Sequence, residues 1–100
     1  MIYVGTDLKI KIDIECEGFD MNRDDFSVDV KRSNMGGKIW HVDKKDVVHD
    51  DDGWYILLPT RLLGVGLFYA VVVAQVPDDD WESGLRQEVQ VLPLFNIEGI

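Results

Sequence analysis

The side chains able to do chemistry in this chain are few, and their spacing limits what they can do. A nucleophile needs a general base within reach, and the candidates are Cys16, His41 and His49. Cys16 continues the apolar series of a strand, where cysteine behaves as a small apolar residue, so a buried structural thiol is expected. His41 stands between Trp40 and Val42 and falls on the outer face of its strand, while His49 precedes an Asp-rich turn. Neither histidine is spaced from a Ser, Cys or Glu as a catalytic pair requires. The sequence holds no glycine-rich phosphate loop and no zinc-ligand spacing. The expectation is a non-enzyme without a cofactor.

Calcium is the sharper chemical possibility, because hard cations want several oxygens converging from one loop. Asp78, Asp80 and Glu82 occupy alternate positions, matching the first three ligands of a calcium loop. The match then fails: Gly84 comes one place late, and the twelfth position would be Val89. Asp50, Asp51 and Asp52 add oxygens only if folding brings their turn nearby. The plainer reading is that Asp crowds exposed turns and confers solubility. No metal is expected, and a calcium-dependent module stays as a lesser alternative.

Binding chemistry rests on the aromatics. Trp40, Trp54 and Trp81 with Tyr3, Tyr55 and Tyr69 could form a stacking platform for sugar. On strands, Trp40 and Trp54 are expected to fill the space between sheets. Trp81 lies in an acidic loop, so it is the best single contact candidate, with Asp78 and Asp80 beside it. The C-terminal run Val91-Leu92-Pro93-Leu94-Phe95-Asn96-Ile97 is more apolar than a free tail should be, which makes Phe95 the fourth candidate. That run is expected to be the last strand; the alternative is that it docks on another chain.

The elements that must position these residues follow from composition and period. One hundred residues make one domain, 1–100, with one modest core. The formal charge of −9 argues against nucleic acid or anionic lipid as the main partner. A single cysteine excludes an intrachain disulfide. The longest apolar run, 62–76, is broken by Gly64 and Gly66, so no membrane span is expected. The N-terminus reads straight into a strand without a basic leader, so no signal peptide is expected and localisation is left open.

Residues 8–17 alternate without a slip: Leu8, Ile10, Ile12, Ile14 and Cys16 face a core, and Lys9, Lys11, Asp13, Glu15 and Glu17 face water. Met1-Ile2-Tyr3-Val4 is expected as a short edge strand ended by Gly5. A strand at 26–31 places Phe26, Val28 and Val30 on one face, a turn at 33–37 follows, and 38–42 returns. A polar connection at 43–46, with room for one helical turn, leads to a brief strand at Val47-Val48 and an Asp-Gly turn at 50–53. Trp54 to Leu58 is a strand stopped by Pro59. Residues 60–66, with two glycines, read as a corner rather than a helix. The run 67–76, apolar on both faces, is a central strand. A loop at 77–84 precedes the last strand, from Arg86 to Leu92 or beyond, with Val89 and Val91 inward. Arg86, just past Asp78, Asp79, Asp80 and Glu82, is expected to tie that loop to its strand by a bidentate pair. About seven short strands and no convincing helix describe an antiparallel β-sandwich, with a small barrel as the competing architecture.

Several segments carry a resemblance. They are Thr6-Asp7-Leu8-Lys9-Ile10, Asp24-Asp25-Phe26, Lys44-Lys45-Asp46, Asp52-Gly53-Trp54-Tyr55 and Thr60-Arg61-Leu62-Leu63-Gly64-Val65-Gly66-Leu67. Val76-Pro77-Asp78-Asp79-Asp80 and Gly84-Leu85-Arg86-Gln87-Glu88-Val89 complete the set. Together the chain resembles small Ig-like proteins from prophage and mobile-element regions of gut bacteria. It is more distantly similar to the Ig-like N-terminal domain of phage baseplate upper proteins. The resemblance spans residues 6–89 and implies an Ig-like sandwich with a structural role in a tail or baseplate. It implies no catalytic residues. The functional expectation is a protein-contact module whose partners are other protein chains, self-association through a sheet edge or the C-terminal segment included. A carbohydrate-binding sandwich is the alternative.

Overall fold

The computed structural model describes residues 1–33 and 38–100; the turn expected at 33–37 lies, apart from Ser33, outside the described residues. Among the described residues eight strands form: β1 (Ile2–Tyr3), β2 (Asp7–Ile12), β3 (Phe26–Arg32), β4 (Lys38–Asp43), β5 (Val48–Asp50), β6 (Gly53–Pro59), β7 (Gly66–Pro77) and β8 (Leu85–Glu98). A 3-10 turn at Lys44–Asp46 and a single helical turn at Thr60–Leu63 are the other regular pieces. Among the described residues no helix is long and apolar enough to cross a membrane.

The strands sort into two sheets, ordered β1-β8-β7-β3-β4 and β2-β6-β5, in a β-sandwich-like arrangement. All pairings are antiparallel except β1 on β8, which is parallel at Ile2↔Ile97 and Tyr3↔Glu98. The larger sheet is therefore mixed, where a wholly antiparallel one was expected.

β7 occupies the centre of the larger sheet, between β3 and β8. That position accounts for its continuous apolar run: the inner face enters the core, and the outer face, flanked by β3 and β8, is only partly open to solvent. Phe68, Ala70, Val72, Ala74 and Val76 point inward and are buried, as are Phe26, Val28 and Val30 of β3. Ile12, Ile56 and Leu58 close the core from the smaller sheet. Fully burying each aliphatic side chain contributes roughly 1.5–3 kcal/mol, so this one core carries most of the folding drive.

The alternation that begins at Leu8 persists to Cys16, but the hydrogen-bonded strand is shorter than expected. β2 ends at Ile12, and 13–16 continue in the same rhythm without a ladder, Ile14 buried and Asp13 and Glu15 exposed. Cys16, expected to be buried, is only half-buried because the chain is already turning away there. The brief strand expected at Val47-Val48 is displaced to Val48–Asp50, with the Val47 amide closing the 3-10 turn on the Lys44 carbonyl at 3.1 Å.

The stretch at 60–66 corrects the expectation of a bare corner. Its two glycines lie beyond the helical turn, where they end it: Gly64 has φ 84° and Gly66 φ 146°. Arg32 spans the corner, donating to the Leu63 carbonyl at 2.9 Å and to the Val65 carbonyl. A Cβ on Gly66 would lie 2.5 Å from that guanidinium, the movable end of a flexible side chain, so it is the positive φ that favours glycine there. Thr60, fully buried, fixes the opposite side: its hydroxyl donates to the Thr6 carbonyl at 2.7 Å and accepts the Gly5 amide at 2.9 Å.

Candidate functional site

The site grows from the phase of β8. Val89 and Val91 were expected inward, yet they are 53% and 65% exposed. Register with β7 sets the outcome: Glu88, Gln90 and Leu92 stand opposite the buried Ala74, Val72 and Ala70, so the alternate positions must face out. The inner side can hold polar groups because backbone meets it there. Gln90 donates to the Glu15 carbonyl at 3.0 Å and Arg86 to the Glu17 carbonyl at 3.3 Å. Those two carbonyls lie outside the strand ladders, and the side chains of Gln90 and Arg86 supply their donors.

The outer face of the larger sheet consequently carries an apolar half. Val91 lies beside Val71 and Val89 beside Val73, with Leu85 and Leu67 exposed along the same two strands. Next to it, β3 and β4 supply a charged half. Asp29 and His41 are cross-strand partners, and Asp43 follows two residues on. The His41 ring is held between them, Nδ1 to Asp29 and Nε2 to Asp43 at 2.8 Å. The hydrogen bond to Asp29 first, and that to Asp43 next, raise the His41 pKa above its ordinary value. A group whose pKa rises on folding adds stability below its unfolded value and loses it as pH climbs through the folded one. His41→Gln is therefore expected to lower the melting temperature most between the carboxylate range and about pH 6.5. The gap to wild type closes at alkaline pH, and paired melts across pH check it. A gap that widened with pH would contradict this arrangement.

The four sequence candidates are not brought together. Asp78, Asp80 and Trp81 share the loop at 78–84, whereas Phe95 faces inward on β8 and stacks on Phe68 with ring centroids 5.7 Å apart. Trp81 is 57% exposed, and among the described residues no other aromatic is stacked on it. The Asp78 carboxylate is engaged on both oxygens: Oδ1 accepts the Asp80 amide at 3.0 Å and Oδ2 accepts Arg86 Nε at 3.2 Å. Arg86 does tie the loop to its strand, but it divides its guanidinium between Asp78 and Glu88 instead of gripping one carboxylate with two bonds. Among the described residues no group of three or more His, Cys, Asp or Glu converges as a metal site.

Two features had no counterpart in the sequence reading. Asp24 is buried and organises the loop at 18–25, accepting the Asp20 amide and both Nε and Nη2 of Arg23 at 2.9 Å each. The Arg23 hydrogen bond holds its carboxyl below the usual range against the opposing effect of burial. Trp54 and His49 stack face to face at 3.9 Å, with Phe26 edge-on to Trp54 at 5.6 Å and the Lys44 ammonium 5.5 Å from the indole. The Asp-Asp-Phe and cross-turn spacings hinted at neither, because both depend on chain segments meeting at one end of the sandwich. Comparison with protein-family models, with curated proteins and with solved structures finds no match to this chain.

Proposed function

We propose that the chain is a non-enzymatic Ig-like β-sandwich that works by protein contact, as a structural or assembly module related to phage and prophage tails or baseplates. The Ig-like reading is supported by the strand order. β2, β6 and β5 take the places of strands B, E and D, and β4, β3, β7 and β8 those of C′, C, F and G. The tail or baseplate setting rests on the sequence resemblance alone. The contact role rests on one observation: a two-strand apolar surface, centred on Val89 and Val91, left exposed on the outer face of the larger sheet. Aliphatic side chains in a row on an otherwise acidic chain mark a surface that another protein covers.

The carbohydrate alternative needs two or more rings exposed in one groove, and Trp40 and Trp54 instead pack against the core. The test is co-expression with phage tail and baseplate proteins. A stoichiometric complex is expected, lost in the double substitution Val89→Asp with Val91→Asp while the domain still melts cooperatively. No complex, or one indifferent to both substitutions, overturns the reading.

A further inference from the structure

β2 is the edge of the smaller sheet, hydrogen-bonded to β6 on one side and, among the described residues, to no strand on the other. Its free edge offers unpaired backbone groups from Asp7 to Ile12, a template for another strand. No proline interrupts it, in contrast to β8, where Pro93 sits at the register shift between Phe68 and Ala70. Outward, the stretch reads Lys9, Lys11, Asp13, Glu15; inward, it reads Leu8, Ile10, Ile12, Ile14, Cys16. Positive charges fill the first half and negative charges the second, so the pattern complements itself when reversed.

Resting on the protein-contact reading above, we propose that β2 pairs antiparallel with β2 of a second copy, about a two-fold axis at Ile12, joining the two smaller sheets into one. In that register Lys9 faces Glu15 of the other copy and Lys11 faces Asp13, so every outward pair along 9–15 is of opposite charge. The inward pairs are Ile10 with Ile14 and Ile12 with itself, both apolar, and the pairing stops short of Cys16, where the chain turns away. Neighbouring registers fail. An axis at Ile10 sets Lys9 against Lys11, an axis at Lys11 or Asp13 sets like charges face to face on the axis itself, and a one-residue slip turns charges into the core. Such a contact is isologous, as a two-fold requires. A cavity of about 340 Å³ opens beside Leu8 and Ile10, floored by Ile56, Leu58, Ala70 and Leu92. Those two residues are accordingly half-buried where Ile12 and Ile14 are buried. The pairing brings Ile14 of the second copy alongside Ile10 at its mouth.

The experiment is sedimentation equilibrium over a concentration series on the full chain and two charge-swapped variants. One variant carries Lys9→Glu with Lys11→Glu, the other Asp13→Lys with Glu15→Lys; all four positions are exposed, and thermal melts verify that both variants fold. The expected result is a reversible dimer for wild type, a monomer for each variant alone, and a dimer restored on mixing the two. The second variant reduces the chain's net charge, so general repulsion does not account for its loss of dimer. A monomeric wild type overturns the inference, as does a dimer that survives in either variant alone. If that surviving dimer dissolves with Val89→Asp and Val91→Asp, the edge pairing is wrong and the outer-face reading stands. If the charge swaps abolish the dimer while the tail complex is absent, the edge pairing stands and the outer-face reading fails.

Discussion

Ile12→Asp is expected to leave the chain without a cooperative unfolding transition, while Asp13→Asn melts like wild type. Ile12 is 2% exposed and belongs to the same core cluster as Ile14, Phe26 and Ile56, and among the described residues no buried cation is there to pair with a carboxylate. Burying an unpaired charge costs several kcal/mol even after relaxation, and the lost aliphatic contacts add to it. A domain of this size has about 5–15 kcal/mol of stability in all. Asp13, one residue on, points to water, and its substitution should stay within about 0.5 kcal/mol. Circular dichroism melts at low protein concentration, where any edge pairing is dissociated, check both. Equal tolerance at the two positions would contradict the alternation that builds the smaller sheet.

Phe68→Ala should cost about 3–5 kcal/mol, the range for a large aromatic removed from a packed core. The ring has no exposed surface, stacks on Phe95 and lies 4.8 Å from the Arg32 guanidinium. Its loss would leave a void near the start of β7 and free the arginine that spans the corner at 63–65. With a urea slope near 2 kcal/mol/M, the unfolding midpoint falls by about 2 M. Leu67→Ala, on the exposed side of the same strand, is the control and should barely move it. A small shift for Phe68→Ala would mean that the two sheets repack around the gap.

What the residues disclosed in advance was local. Leu8 to Cys16 announced their face by alternation, and the apolar run of β7 announced a central strand, because both patterns reflect burial that the segment itself must satisfy. The Asp-Gly turn at 52–53 and the short edge strand at Ile2–Tyr3 were legible for the same reason. β8 was not. Val89 and Val91 look like a core face until the register with β7 is known, and the carbonyls of Glu15 and Glu17 that satisfy Gln90 and Arg86 come from more than sixty residues away. The Asp29–His41–Asp43 row was half visible: His41 was placed outward, but its partner on β3 depends on hairpin register. Asp24 gave no signal at all, since a buried carboxylate is recognisable only once its donors have gathered around it.

The chain's two ends meet through very little: Ile2 and Tyr3 alongside Ile97 and Glu98, and the Val4 amide on the Glu98 carbonyl at 2.8 Å. Closing that pairing encircles nearly the entire polypeptide, whereas the hairpin of β7 and β8 closes over the short loop at 78–84. Loop entropy favours the hairpin as an early event and the meeting of the ends as a late one. The domain should thus assemble outward from its C-terminal third, and its first four residues can detach and return while everything else stays folded.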